Sequence, residues 1–314
     1  MAWTRGAMVP AFAKINLTLE VLGRRADGYH DLVSVLCTIA LHDTIALRPA
    51  PAGTFSLVCD DPALAGDDNL ALRAARLLAA TLDPAPATGV AIELHKAIPV
   101  QAGLGGGSSD AAMVLAALYR LWDRHLSGEQ FAALAARLGS DVPFFLTPGA
   151  ALVRGRGERV EALPDIEPLW LVLLKPPVAV ATAAAFGALT PADFGDGAAS
   201  EAMAAALLDW QPLPPDGQEL PLSGQELPLD RLVNSFEPSI LRDYPAVARA
   251  WEEFAAAGAP LVRLSGSGPT LYAPFRELAS AAAVHQRLRA GGHQTWLTYT
   301  VPRIEATPWS RIAP

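Results

Sequence analysis

The sequence predicts an α+β chain of two domains, on three observations. The first half reads as strands followed by helices, with no regular strand–helix alternation, which favours an α+β arrangement over a doubly wound sheet. The second half closes on a strand–turn–strand–helix–strand order, which suits a small sheet with helices on one face. The length of 314 residues suits two domains, at about 100–200 residues each. The division falls between residues 160 and 161, giving domains 1–160 and 161–314.

Residues 12–21 alternate: Ala13, Ile15, Leu17, Leu19 and Val21 on one side, Lys14, Asn16, Thr18 and Glu20 on the other. Period two predicts a half-buried strand with a solvated face. Gly23 to Gly28 reads as a polar turn, followed by strand signals at Leu32–Leu41, Thr44–Leu47, Phe55–Cys59 and Val90–His95. Asp68 is placed to cap a helix carrying Leu70, Ala74, Leu77 and Leu78 on one side. After a glycine-rich loop, Ala112, Leu115, Tyr119 and Trp122 recur at helical spacing. Ser127-Gly128-Glu129-Gln130 has the form of a capping box. It opens a helix with Phe131, Leu134, Ala135 and Leu138 inward, closed by Gly139.

The second half begins after a hairpin-like stretch, Ala150–Glu161, and has a strand at Leu169–Leu174. Residues 191–230 are poor in order signals and hold a tandem heptad, DGQELPL then SGQELPL. Two copies are too few for a solenoid, so the expectation is a mobile surface insertion over about 191–230. A helix from Ala246, strands at Leu261–Leu264 and Thr270–Phe275, a helix at Glu277–Ala290 and a strand at Gln294–Thr300 follow.

Composition narrows the function. Hydrophobic residues make up 51% and charged ones 18%, enough for a full core. The formal net charge of −8 argues against non-specific nucleic-acid or acidic-membrane binding. An anionic ligand would then need local positive partners. Cys37 and Cys59 are expected as buried free thiols, and the six histidines show no H-E-x-x-H pair. No apolar span reaches the ~18 residues of a membrane helix and no signal-peptide pattern appears. The expectation is a cytoplasmic protein, monomeric or weakly dimeric, that engages neither membrane nor nucleic acid.

The chemistry concentrates in Pro99-Val100-Gln101-Ala102-Gly103-Leu104-Gly105-Gly106-Gly107-Ser108-Ser109. Such a loop, opening a helix, aims free backbone N–H groups and the positive helix end at one point, a site for phosphate. No lysine lies between Lys96 and Lys175, which excludes the P-loop. Gly103 and Gly105 fit a dinucleotide loop, but Ser108 holds the third glycine's place and helical segments follow. A purely structural glycine turn stays open on these residues alone.

PVQAGLGGGSSDAA resembles the central motif of the GHMP kinases, the superfamily of galactokinase, homoserine kinase and mevalonate kinase. AFAKINLTLEVLGRRADGYHDLVSV (11–35), LGSDVPFFL (138–146) and LSGSGPTLYA (264–273) occur in the order found in one branch. The resemblance spans nearly the whole chain, apart from 212–230 and a tail after Val301. It implies a two-domain fold, with an N-terminal domain like ribosomal protein S5 domain 2 and a ferredoxin-like C-terminal domain. It also implies ATP and Mg²⁺ as cofactors and a small-molecule acceptor carrying a cytidine diphosphate group. The reaction it implies is phosphorylation of the 2-hydroxyl of 4-diphosphocytidyl-2-C-methylerythritol, in isoprenoid precursor biosynthesis. A sister kinase of the same fold, or a non-catalytic ligand sensor, is the alternative.

Site residues carry over by motif position. The loop would wrap the ATP phosphates, with Ser109 helping to hold Mg²⁺. Asp141 resembles the catalytic base, although by itself Gly139-Ser140-Asp141-Val142-Pro143 reads equally as a turn or helix cap. Lys14 resembles the family's active-site lysine; without the resemblance it is a cation on a solvated strand face. Asn16 projects to the same side. Tyr29 and His30, otherwise surface residues, would contact the cytidine diphosphate. Thr182 and Phe186 fall where the family has a second-domain hydroxyl and a stacking aromatic. Ser265 and Gly266 resemble a third glycine motif beside the phosphate loop, although a tight hairpin accounts for them too. Asn69 is a candidate contact for adenosine. Leu36 departs from the pattern, standing where the family has another stacking aromatic.

Overall fold

The computed structural model describes residues 5–123, 126–209 and 227–307. Its first sheet has seven strands. β1 (Ala7–Arg24) pairs antiparallel along its length with β2 (His30–Ala50). β2 is long enough to take a second partner at each end. Its far end pairs with β4 (Gly89–His95), which also holds β3 (Phe55–Cys59) in parallel. Its near end pairs with β5 (Ala150–Gly155), the first arm of a hairpin with β6 (Arg159–Ala162). The second sheet is antiparallel, in the order β11 (Gln294–Tyr299), β7 (Trp170–Lys175), β10 (Leu271–Phe275), β9 (Arg263–Leu264). β8 (Val233–Asn234), from the second half of the chain, joins the first sheet parallel to Thr18 and Leu19.

Helices α1 (Leu70–Thr81), α2 (Gly106–Leu121), α3 (Gly128–Leu138) and α4 (Val142–Leu146) share a core with the first sheet. Of the later helices α5 (Thr182–Ala188), α6 (Ala198–Leu208), α7 (Glu237–Asp243), α8 (Pro245–Ala256) and α9 (Leu278–Ala290), α7 to α9 pack on the second sheet. A third core lies between the sheets, joining Ile15, Leu17 and Val35 to Leu171, Leu173 and Tyr272. Burying side chains such as Ile15 and Leu17 contributes about 1.5–3 kcal/mol each. The predicted α+β class holds, as does the capping box: Ser127 accepts from the Gln130 amide and Gln130 from the Ser127 amide. Cys37 and Cys59 are free and buried. Among the described residues no helix is long and apolar enough to cross a membrane.

Several expectations need correction. β1 has no solvated face, because Lys14, Asn16, Thr18 and Glu20 are only 0–6% exposed. The alternation is real, but both sides are covered. A register shift between Phe12 and Ala13 changes the inward partners: Val9 and Ala11 pack with the helix-side core, Ala13, Ile15 and Leu17 between the sheets. Such shifts re-aim a strand next to functional sites. The helix cap before α1 is Asn69, not Asp68: its Oδ1 accepts from the Ala71 amide at 2.9 Å. Gly139 closes α3 in extended rather than left-handed backbone. The strand expected at Leu261–Leu264 is only the two residues of β9.

The expected mobile insertion is ordered in its first part. Residues 191–209 form a 3-10 turn at Pro191–Asp193 and helix α6. Buried Glu20 holds the start of α6, accepting from the amides of Gly197 (3.2 Å) and Ser200 (2.8 Å). A carboxylate at a helix N-terminus satisfies amides that have no partner within the helix. Residues 210–226, with most of the tandem heptad, lie outside the described residues, as do His125 and the tail from 308.

Candidate active site

The glycine loop is fixed from below and bare above. Ala102 and Leu104 are buried at 1–2% in the core between the sheets, and the Lys14 amide donates to the Leu104 carbonyl at 3.0 Å. Gly103, between these anchors, and Gly105, just after them, take left-handed backbone, φ 76° and 73°. Gly105 is the N-cap of α2, so the first turn presents its amides with no side-chain cap. Both positions exclude a side chain on space as well. A Cβ on Gly103 would lie 2.1 Å from the Ser265 carbonyl oxygen, and one on Gly105 would lie 2.7 Å from the Phe145 ring.

The third glycine motif packs directly against this loop. Ser265 is wholly buried, and its hydroxyl donates to the Gly103 carbonyl at 3.0 Å. The serine therefore braces the loop instead of facing a ligand. Gly266 approaches Lys14: a Cβ there would lie 3.2 Å from Nζ. Asn234, on β8, grips this turn from behind. Its amide donates to the carbonyls of Leu264 and Gly266, both at 2.8 Å, and its Oδ1 accepts from the Phe236 amide. Glu237 accepts from the Leu264 amide at 3.0 Å, and burial pushes its carboxyl up to about 7. Tyr272 completes the brace, donating to the Asn16 carbonyl at 2.7 Å.

Lys14 stands between these two glycine segments. Nζ is 3.9 Å from Asp141 Oδ2 and donates to Asn16 Oδ1 at 2.8 Å. Asn16 in turn donates to Ser34 Oγ at 2.8 Å. Burial lowers the Lys14 pKa, and the Asp141 carboxylate opposes that shift. Asp141 precedes α4 but makes no capping hydrogen bond, and its side chain is 40% exposed. The bare cap reading of Asp141 therefore finds no support in its side chain. The arrangement is a half-open carboxylate beside a buried cation, within reach of a helix N-terminus.

A second cation near the loop is already engaged. Lys96 Nζ pairs with Asp43 and, at 2.8 Å, with Asp110. Burial pushes the Asp110 carboxyl up, against the pull of Lys96. Asp43 also accepts from the amides of Ala97 and Ile98, so this cluster ties the chain entering the loop to β2. Ser109 Oγ and Asp110 Oδ1 are buried with no hydrogen-bond partner among the described residues.

Farther along β2, the His30 ring stacks on Phe186, centroids 5.0 Å apart. Phe194 edges His30 at 6.3 Å, and Phe236 meets Phe186 at 4.8 Å. Burial lowers the His30 pKa, helped by Arg24. Tyr29 is 55% exposed. Thr182 sits 3.5 Å from Ser267 Oγ, which joins α5 to the third glycine turn. Leu36 is not beside this cluster. It is 2% exposed in the helix-side core, six residues from His30, or roughly 20 Å along a strand. Asn69 is at the far side of the loop, next to Leu70, which lies 3.6 Å from a Cβ on Gly107. Sequence reading missed Asn234, Phe236, Glu237 and Phe194, whose short stretches carry no recognisable periodicity.

Two family descriptions match the chain: GHMP kinases N terminal domain over residues 69–149 and GHMP kinases C terminal over residues 220–294. A 4-diphosphocytidyl-2-C-methyl-D-erythritol kinase of Pelotomaculum thermopropionicum is 43% identical over 296 residues, 94% of this chain and 98% of the relative. One of Gloeobacter violaceus is 41% identical over 278 residues, 87% of each chain. The crystal structure of a 4-(cytidine 5'-diphospho)-2C-methyl-D-erythritol kinase superposes with a TM-score of 0.76 at 35% identity, covering 93% of this chain and 98% of that one. Homoserine kinase from Cytophaga hutchinsonii superposes with a TM-score of 0.70 at 18% identity, covering 96% of each, which shows a shared fold.

Proposed function

The chain belongs to the GHMP kinases, in the branch of the 4-diphosphocytidyl-2-C-methyl-D-erythritol kinases, and from that premise we propose that it transfers the γ-phosphoryl group of ATP to the 2-hydroxyl of 4-diphosphocytidyl-2-C-methyl-D-erythritol. The products are ADP and the 2-phosphate, an intermediate of non-mevalonate isoprenoid biosynthesis. The observation that carries the reading is identity of 43% across 94% of the chain. The bracing of Lys14, Asp141 and the glycine loop into one site supports it. Such small-molecule chemistry suits the cytoplasm.

Phosphoryl transfer needs positioning and charge neutralisation more than covalent help. The free amides at the start of α2 hold the ATP phosphates. Asp141 accepts the proton of the acceptor hydroxyl as its oxygen bonds to the γ-phosphorus and the bond to ADP breaks. Lys14, 3.9 Å from Asp141 Oδ2, stabilises charge on the moving phosphoryl. Burial makes that cation effective, because its field is little screened. Mg²⁺ fits at Ser109, whose buried hydroxyl oxygen has no partner among the described residues. When bound, the ion would neutralise charge on the ATP phosphates.

His30 and Phe186 read the cytosine. With its pKa lowered, His30 is a neutral imidazole at pH 7, able to donate at one nitrogen and accept at the other. Their rings stack with centroids 5.0 Å apart, and a base bound between them would have to part that stack. Thr182 lies at the rim of this pocket. Adenosine lies on the opposite side, at Leu70 and Asn69. Asn69 already spends its Oδ1 on Ala71 and one amide hydrogen on Leu64, so one hydrogen remains for a ligand. The boundary we propose between domains 1–160 and 161–314 lies within β6, Arg159–Ala162, just ahead of the link to β7 and the second sheet.

A coupled ADP-release assay with ATP, Mg²⁺ and a panel of acceptors tests the proposal. The cytidine-diphosphate substrate is expected to turn over, and homoserine or mevalonate is not. Turnover of either of those in its place, or ATP binding with no turnover on any acceptor, would refute it.

A further inference from the structure

The acceptor proposed above links a cytidine to a reactive alcohol through a diphosphate, and beside Tyr29 and His30, expected at the cytidine diphosphate, no cation described so far meets that diphosphate. The turn between β5 and β6 supplies a group. Gly155-Arg156-Gly157-Glu158 is a tight turn in which both glycines have positive φ, 75° and 109°. It packs on the catalytic carboxylate: a Cβ on Gly157 would lie 3.8 Å from Asp141 Oδ1 and 3.7 Å from Ser140. From the neighbouring position, the Arg156 guanidinium lies over the Tyr29 ring, 4.7 Å from its centroid. Arg156 thus stands between the element carrying Tyr29 and His30 and the carboxylate that faces the reacting hydroxyl.

Among the described residues its guanidinium donates no hydrogen bond; its ion pair there is with Glu158, at 4.0 Å, too long for a hydrogen bond. The same Glu158 oxygen accepts from the Arg156 amide at 2.7 Å, which ties the carboxylate to the turn's backbone. The nearby Asp27 is held by Arg25 at 3.1 Å and by the Tyr29 amide, and Arg25 is further tied to Asp31. The Arg156 side chain is 33% exposed, so it reaches solvent while its stem is covered. In a chain of net charge −8, a free guanidinium at this point is a local anion partner. Guanidinium and phosphate pair through two parallel hydrogen bonds, and the aromatic face beneath holds the plane in place.

We infer that Arg156 binds the diphosphate of the acceptor, with Tyr29 as the platform that orients its guanidinium. The inference rests on the proposed cytidine-diphosphate acceptor. In that molecule the diphosphate joins the base to the alcohol, and Arg156 lies between His30, which reads the base, and Asp141, which faces the alcohol.

Calorimetric titration of CDP and of cytidine into the wild-type protein and into Arg156→Gln tests it. Hydrogen bonds to a charged group contribute about 1.5–3 kcal/mol, so Arg156→Gln should weaken CDP roughly 10- to 100-fold. Cytidine should change less than about twofold. The acceptor KM should rise by the same factor as CDP affinity falls, with a smaller change in kcat and none in the KM for ATP. Arg156→Lys should recover part of the loss, since a point charge cannot make the paired contact. Equal losses for CDP and cytidine would overturn the inference, because Arg156 would then act only by propping Tyr29. Unchanged CDP affinity would overturn it as well. If wild type bound neither ligand, the cytidine-diphosphate reading itself would fall, and this assignment with it.

Discussion

Lys14 Nζ and Asp141 Oδ2 lie 3.9 Å apart although their residues are 127 positions apart in the chain. One is buried on β1, the other half-open before α4. The pair is asymmetric by construction: the cation is desolvated and fixed, the carboxylate reachable by a substrate. Removing the carboxylate without changing its shape should therefore touch the chemistry and spare the donor. Asp141→Asn is expected to lower kcat by roughly 10²–10⁴-fold, with the ATP KM held within a few-fold. Steady-state kinetics with ATP varied checks this, and a comparable loss in ATP binding would remove Asp141 from the base role.

Lys14 makes the converse case. Burial makes its charge costly, since its pKa is lowered on that account. Lys14→Met should leave Tm unchanged or raised, because an apolar side chain replaces a desolvated ammonium. The same change should lower kcat by roughly 10²–10³-fold, the scale seen when a fixed charge partner is lost from a transition state. Thermal melting and kcat measured on one preparation decide it; a large fall in Tm would assign Lys14 a structural duty.

Two glycines of the loop should respond oppositely to one methyl group. Gly103→Ala forces a Cβ to 2.1 Å from the Ser265 carbonyl at a φ of 76°. It should separate the loop from its brace and cut ATP affinity at least ~10-fold, the scale of 1–3 kcal/mol of backbone strain. Gly107→Ala meets only Leu70, at 3.6 Å, in helical backbone, so it should fold and bind nearly as wild type. Nucleotide titration of both variants reads the contrast.

Much of this site was legible in the sequence, and the limits have physical reasons. The loop, Lys14 and Asp141 were found because each belongs to a long contiguous motif. The burial of Lys14 was not, since an alternating strand looks the same whether its polar face meets water or a second layer of protein. That face is covered by residues far downstream: Gly266 against Lys14, and Gly195, Gly197 and Ser200 against Glu20. Helix α6 was missed because AASEAMAAALL is apolar nearly all round and gives no amphipathic period; its anchor is Glu20, far off in the chain. Arg156, on a turn, and Asn234, on the two-residue strand β8, were missed because a single side chain in so short an element leaves no pattern.

Asn234 offers a test of positioning at a distance. Asn234→Ala frees the carbonyls of Leu264 and Gly266, and Gly266 is the neighbour of Lys14 Nζ. The expected result is a kcat loss of roughly 10-fold or more, from about 1–3 kcal/mol per orphaned buried group, with acceptor KM little changed. A proportional rise in KM would point to general loosening instead.

Glu237 predicts a pH effect on stability. Its folded pKa is about 7 against an ordinary 4.5, raised by burial. The folded state thus binds more protons than the unfolded one between those values, so stability falls as pH rises through that window and the loss is complete above it. Glu237→Gln can still accept from the Leu264 amide without that ionisation. It should melt higher than wild type at pH 8 and close to it at pH 4.5. Parallel melting curves for the two proteins at all pH values would contradict this.

The identity of the reaction is read by ³¹P NMR of the wild-type reaction mixture. With ATP, Mg²⁺ and 4-diphosphocytidyl-2-C-methyl-D-erythritol, a new phosphomonoester signal should grow in step with ADP while the acceptor's diphosphate signals persist, and Asp141→Asn should give almost none. ADP accompanied by free phosphate alone, or no phosphomonoester on the acceptor, would contradict the account.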